Sequence, residues 1–436
     1  MTTLDRPATA SSEHEDSTAA TRRLLARLVG DGDAGLRVEV YDGTVIGPTD
    51  ATTVLRIVSP DFFHRIITGR GSELAFSRAY VAGDVEIDGD IYGVLRLRDR
   101  IGRAAPKRGF VRDAARVLGI HGAGDLLKLR PLPVPPEELV VAGRLHSRSR
   151  DARAVSAHYD VSNDFYRLFL GPTMTYSCAV FEQASDGLDE AQINKYDLIR
   201  RKLGLSPGMR LLDIGCGWGG MVLHAAERYG VRAVGVTISA QQHELATKRV
   251  AEAGLVDRVE IRLQDYRDIA DGHFDAISSI GMFEHVGEKR LTEYFDKIHS
   301  LLVPEGRLLN HAINRSAPAR HGRIDPDGFM GRYVFPDGEL LESGQVVSSI
   351  NASGMEVRHV ESLREHYALT LRHWVRRLEK NWDEAVALTS VGRARVWRLY
   401  MAASAVGFEA NDLNVTQVLA TKTTDGTSGF ALRPHW

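Results

Sequence analysis

Between Leu211 and Gly220 the chain reads LLDIGCGWGG, an apolar run closed by glycines at 215, 217, 219 and 220. No other stretch narrows the possible folds as far. Glycines that follow a strand let the backbone turn sharply and approach a ligand more closely than any Cβ would permit. The run therefore predicts a strand, a ligand-cradling turn and the start of a helix.

The downstream sequence has the matching texture. Strand-like runs MRLLDIG, RAVGVTIS, VEIRLQD, FDAISSIG and GRLLNHAI alternate with helical patterns GMVLHAAERYG, AQQHELATKRVAEAG and KRLTEYFDKIHSLL. Such alternation predicts an α/β fold with a doubly wound, mostly parallel, Rossmann-like sheet. Ligands of these sheets bind at the carboxyl ends of the strands, where the strand order reverses.

Gly215, Gly217 and Gly220 stand at the G-x-G-x-x-G spacing, but Gly219 makes the close of the turn GWGG rather than the usual form of dinucleotide enzymes. Asp213, two residues before Gly215, instead matches the pattern of S-adenosylmethionine sites, where such an acid orders the loop and the amino acid end of the ligand. The second strand ends without the Asp or Glu that commonly grips a ribose, so Thr237 and Gln242 are the polar substitutes. Gln264 and Asp265, after the third strand, could meet an adenine edge. Each alone could equally cap a helix or solvate a turn. At the ends of successive strands they outline one cleft.

At 436 residues the chain exceeds one ordinary single-core domain. A hydrophobic fraction of 43% and a charged fraction of 26% belong to a globular protein. A net charge of −2 argues against nucleic acid as a partner. The cysteines, Cys178 and Cys216, make no disulfide framework and fit a reducing cytosol. No run of about 18 apolar residues offers a membrane span, and the N-terminus has no secretory signal, so a cytoplasmic protein is expected.

The division by composition is fourfold. Residues 1–20 read as a disordered tail. Residues 21–100 read as a small α+β domain, a candidate lipid-associating module. Within it RRLLARLV and SPDFFHRII are helical, LRVEVYDG and TTVLRIVS are strands, and DVEIDGDIYGVLRLRDRI is turn and helix. Residues 101–155 are a basic, proline-containing linker, and between Arg96 and Arg153 Lys and Arg outnumber Asp and Glu by 14 to 6. In that stretch GFVRDAARVLGIHGAGDLLKL is a candidate basic amphipathic helix pair, either a solvated tether or a membrane-surface patch. Residues 156–436 form the catalytic domain.

DIGCGWGG, GVTIS with Gln242 after it, QDYRD, SIGMFEHVG, HYDVSNDFY and TYSCAVF together resemble the cyclopropane-fatty-acyl-phospholipid synthase family, which includes the mycolic acid cyclopropane synthases. The likeness runs from about Ser156 to the C-terminus. The part before it more faintly resembles the extra N-terminal domain of the phospholipid-acting members. The resemblance implies a class I methyltransferase with S-adenosylmethionine as methyl donor and a cis double bond of an unsaturated phospholipid acyl chain as acceptor. It implies work at the inner face of an anionic membrane, as a homodimer.

Carried over by residue, the resemblance implies that Tyr176 and Ser177 close over the cofactor. Gly215 and Gly217 would face its methionine part, Thr237 and Gln242 its ribose, and Asp265 its adenine. A bicarbonate ion would be held by Cys178, Glu284, His311, the Ile313 backbone and Tyr367.

The implied chemistry suits such groups. An isolated alkene attacks a sulfonium methyl without a base, but it needs alignment and the absence of water. Water would trap the resulting carbocation, so a dry pocket is expected, with Met282, Phe283 and GFMGRYVF as candidate walls. Aromatic faces could steady the cation. The added methyl must then lose a proton. A protein carboxylate beside a carbocation risks forming an ester, whereas bound bicarbonate can accept the proton and exchange. Holding that anion takes donors from Tyr367, His311 and backbone amides, with Glu284 orienting its hydroxyl or positioning His311.

Direct loss from the added methyl closes a cyclopropane ring. A prior hydride shift gives a methylene-branched chain, the precursor of methyl-branched fatty acids. Two readings from other classes stay open: methylation of a small polar molecule or a protein side chain, and a membrane-associated binding protein with a vestigial pocket. His158 and His311 have no metal-ligand spacing, so no metal is expected. Cys178 has no paired His for nucleophilic chemistry, and His285 is as ready to pack as to act.

Overall fold

The computed structural model describes residues 17–26, 35–69, 72–96, 108–120, 124–125, 128–139, 162–315, 324–336 and 338–436. The tail up to residue 16, most of the basic linker and His158 lie outside the described residues. The chain divides into two compact units. One comprises Met1–Glu138, Asp327–Phe329 and Ser390–Ala403, and the other Leu139–Pro326, Met330–Thr389 and Ser404–Trp436.

The first unit holds a four-stranded sheet of order β2-β1-β3-β4, formed by β1 (Leu36–Val40), β2 (Val45–Ile46), β3 (Thr53–Ile57) and β4 (Val85–Gly89). LRVEV and TVLRI bury every second side chain, as strands with one covered face do. Two sequence expectations need correction. The chain is already helical at residue 17, inside the expected tail. DVEIDG is not a turn but β4, because Val85 and Ile87 point inward while the strand pairs antiparallel with β3. A helix over Glu73–Ala82 had no forecast. Ser72 caps it by accepting the Ala75 amide, and Gly83 ends it with a left-handed φ of 87°.

Ser390–Ala403, which the sequence assigns to the catalytic domain, belongs to this first unit. Buried Arg398 accounts for that, since it donates to the Tyr80 hydroxyl and to the carbonyls of Ile87 and Gly89. Of the expected basic helix pair the first, Arg108–Val117, is present, and the second falls partly outside the described residues.

The second unit is a seven-stranded sheet of order β10-β11-β9-β8-β5-β6-β7. Its strands are β5 (Arg210–Ile214), β6 (Arg232–Thr237), β7 (Val259–Leu263), β8 (Phe274–Ile280), β9 (Leu302–Arg315), β10 (Glu356–Ser362) and β11 (Leu413–Thr421). The first five pair in parallel, as the alternating sequence predicts. Strands β10 and β11 extend the sheet antiparallel beyond β9.

Successive strand residues feed opposite cores. Leu212, Val234, Ile277 and Leu308 pack on one face. Leu211, Ala233, Ala276 and Leu309 pack on the other, against the helices Leu188–Leu203 and Gly220–Tyr229. The strand order reverses at β5, whose carboxyl end carries the glycine turn. Among the described residues no helix is long and apolar enough to cross a membrane.

Candidate functional site

The glycine turn lies in a cleft at the carboxyl ends of β5, β6 and β8. Its lining includes all nine residues assigned from sequence to the cofactor: Tyr176, Ser177, Asp213, Gly215, Gly217, Thr237, Gln242, Gln264 and Asp265. Gly215 has φ +77°, and a Cβ there would stand 2.7 Å from Met282 Cγ. Gly217, at φ +55°, has open space where its Cβ would be. The first glycine thus permits the turn, and the second keeps the floor bare.

The polar groups of the cleft are held in place by neighbours. Thr237 Oγ1 donates to Gln242 Oε1 at 2.8 Å, at the start of the helix Ala240–Glu252, which Ser239 caps. Asp265 forms an ion pair with Arg267 and caps a short turn, so its structural role and its place in the cleft coexist. Gln264 bonds the Asp268 carbonyl. Tyr176 stacks on Trp374 with ring centres 5.3 Å apart. Arg249 clamps the turn to the preceding segment by donating to the carbonyls of Trp218 and Thr173.

Sequence reasoning missed the buried cation of this site. Lys195, on the helix Leu188–Leu203, lines the cleft and donates to Ser177 Oγ at 3.0 Å. From the same helix Gln192 donates to the Ser177 carbonyl at 2.9 Å. Burial pushes the Lys195 ammonium down to about 7, against the pull of Cys178 and Asp213. Burial likewise raises the Asp213 carboxyl to about 6, although Ser278 bonds it at 2.6 Å and Lys195 is nearby. Gln192, Lys195, Ile199 and Lys202 recur at helical spacing and all four are buried, but nothing in the letters marks three polar side chains as the inward face.

None of the five residues assigned to the anion lines the cleft; Cys178, Glu284, His311 and Tyr367 are buried, and Ile313 is half-buried. Gly281, in the cleft wall, donates to the His311 carbonyl at 2.9 Å, so the two regions share a wall. The structure joins Glu284 to Ile313, whose amide donates to Glu284 Oε1 at 2.7 Å. Cys178 and Tyr367 meet at Leu363, whose carbonyl receives the Cys178 thiol at 3.7 Å and the Tyr367 amide at 3.1 Å.

The electrostatics of this group are those of desolvation. Burial raises the Glu284 carboxyl to about 7 and drives the Cys178 thiol well up. It holds His311 well below its usual range, with the Lys195 and Lys202 charges adding to the effect. Glu284 Oε2 and His311 Nε2 are buried with no hydrogen-bond partner among the described residues. Buried polar atoms left open in this way fit a small bound anion, and Cys178 with its raised thiol is no nucleophile.

Of the expected apolar walls, Met282 lines the cleft. Phe283 does not, because it packs in the core against Tyr294 and Phe295. The GFMGRYVF stretch does not line it either, and Phe329 and Tyr333 are themselves buried. His285 reaches the cleft. Among the described residues no group of His, Cys, Asp or Glu could hold a metal.

Residues 146–418 match the family described as mycolic acid cyclopropane synthetase. The chain is 44% identical to a probable fatty acid methyltransferase of Mycobacterium tuberculosis, over 95% of this chain and 97% of the relative. It is 35% identical to the cyclopropane-fatty-acyl-phospholipid synthase of Escherichia coli, over 84% and 87%. A tuberculostearic acid methyltransferase of Mycobacterium tuberculosis is 34% identical, over 92% and 90%. The solved mycolic acid cyclopropane synthase complexed with SAH and CTAB superposes with a TM-score of 0.58 at 37% identity, covering 62% of this chain and 98% of that one.

Proposed function

The chain belongs to the mycolic acid cyclopropane synthetase family and is an S-adenosylmethionine-dependent methyltransferase; from that premise we propose that it methylates the cis double bond of an unsaturated phospholipid acyl chain and that bound bicarbonate takes the proton. The reading is carried by one observation, the buried open atoms Glu284 Oε2 and His311 Nε2 on residues that share a wall with the cofactor cleft.

In this reading the glycine turn, Thr237, Gln242 and Asp265 hold the nucleoside and sulfonium end of the cofactor. Lys195 and Asp213 supply opposite charges for its amino acid end. Tyr176 and Ser177 cover it and exclude water, so the alkene carbon meets the methyl in line. When bound, the cofactor would supply its methyl carbon to the electron pair of the alkene and depart as a neutral thioether, which would leave a cation on the acyl chain. Bicarbonate supplies a base that can accept the proton and exchange with solvent. His311 and Tyr367 donate to it, and Glu284, held through one oxygen by the Ile313 amide, orients its hydroxyl.

Loss of the proton from the added methyl closes the ring, and this is the product we favour. A hydride shift first would give the 10-methylene chain. The relatives named as fatty acid and tuberculostearic acid methyltransferases keep that second product in view. We further propose that the basic stretch within residues 96–153 holds the protein peripherally on an anionic membrane, from which the acyl chain is drawn.

The anion reading is tested by turnover in bicarbonate-free buffer, with and without added bicarbonate, for the wild type and for Glu284→Gln, His311→Phe and Tyr367→Phe. The wild type should respond to bicarbonate. The three variants should lose roughly 10²-fold or more in kcat while still binding the cofactor. Near-normal turnover of all three would overturn it.

A further inference from the structure

A continuous polar row runs across three strands behind the cleft, buried at Gln417 and His311 and partly exposed at Glu361. Glu361 on β10, Gln417 on β11 and His311 on β9 are directly paired neighbours in the sheet. Lys202, fully buried on the helix Leu188–Leu203, forms an ion pair with the Glu361 carboxylate and donates to Gln417 Oε1 at 2.7 Å. Gln417 Nε2 stands 3.2 Å from His311 Nδ1.

Resting on the reading of His311 as a donor to the bound anion, we propose that Lys202 and Gln417 are positioning residues that fix His311 in its Nε2–H tautomer. The argument is one of elimination among donors and acceptors. An ammonium only donates, so the Gln417 atom against Lys202 must be the amide oxygen. The NH₂ end of that amide therefore faces His311. It too can only donate, so Nδ1 must present its lone pair. A neutral imidazole carries one proton, which is left on Nε2.

The imidazole is neutral because burial and the Lys195 and Lys202 charges disfavour its cation. Glu361 offsets the burial that would discharge Lys202. The outcome is a buried Nε2–H with no acceptor among the described residues, the polarity that an anion seeks. Had the polarity of the row been reversed, His311 would turn a lone pair toward the anion and repel it.

The test is the two-bond nitrogen–proton correlation spectrum of the full chain labelled with ¹⁵N-histidine, in which the His311 signal among 16 histidines is assigned by its loss in His311→Phe. The wild type should give the Nε2–H pattern. Gln417→Glu places an acceptor against Nδ1 and should move the proton there, raising the half-saturating bicarbonate concentration by about 10- to 100-fold. Lys202→Met frees the amide to turn and should give a mixture of tautomers. A wild-type Nδ1–H pattern, or an unchanged tautomer in folded Gln417→Glu, would overturn the proposal. Should that variant not fold, the wild-type spectrum decides alone. If the tautomers are as expected while wild-type turnover ignores bicarbonate, the anion reading fails and the tautomer assignment stands.

Discussion

Glu284 accepts the Ile313 amide at 2.7 Å through one carboxyl oxygen, while the other is buried without a partner among the described residues. This half-satisfied acid titrates near 7 because burial opposes its charge. Its folded value is raised above the ordinary 4.5, so its contribution to stability is present in full below 4.5 and is lost as pH rises through 7. Relative to Glu284→Gln, the wild type should lose on the order of 3 kcal/mol over that window and nothing further above it. Urea denaturation of both proteins across the window measures the difference. Parallel stability profiles would contradict the assignment.

Lys195 should govern cofactor affinity. Its ammonium lies in the cleft wall between Ser177 and the charge of Asp213. A charge-assisted hydrogen bond to a ligand is worth about 1.5–3 kcal/mol. Lys195→Met is therefore expected to weaken S-adenosylmethionine binding by roughly 10- to 100-fold in calorimetry, with the near-ultraviolet dichroism of the folded protein retained. Unchanged affinity would remove Lys195 from the site.

The two glycines of the turn should separate stability from binding. Alanine at Gly215 meets Met282 at 2.7 Å in a left-handed backbone, so Gly215→Ala should lower stability by about 1–2 kcal/mol or more as well as affinity. Gly217→Ala has free space for its methyl and should keep more of its stability, while the methyl intrudes where the cofactor approaches. Thermal melts and calorimetry of the two variants test this order.

Vesicle binding should be electrostatic. Each basic residue near an anionic surface contributes about 1 kcal/mol, and salt screens that attraction. The full chain should co-sediment with anionic phosphatidylglycerol vesicles at low salt, much less at high salt, and weakly with zwitterionic vesicles at either. Salt-independent binding would exclude the basic stretch as the anchor.

Much of this was legible in the sequence because it is local. The five parallel strands and the turn are marked directly by periodicity, and Asp213, Thr237, Gln264 and Asp265 fall at the ends of those strands. Strands β10 and β11 were not legible, since EVRHVES looks solvated until Leu413–Thr421 pairs with it from far along the chain. Lys202 was hidden for the same reason. RRKL reads as a charged helix end, and only Gln417 and Glu361, distant in sequence, make a buried lysine tolerable there. Phe283 lies next to the cleft residue Met282, but its side chain turns into the core.

The account stands or falls on where the methyl carbon goes. Full-length protein is incubated with methyl-¹³C S-adenosylmethionine and vesicles of a cis-monounsaturated phospholipid, and the released fatty acids are analysed by NMR. The account predicts the label in a cyclopropane ring carbon bridging the former olefinic positions, with vinylidene signals marking the alternative product. Label on a head group, or none in the acyl chain, would contradict it.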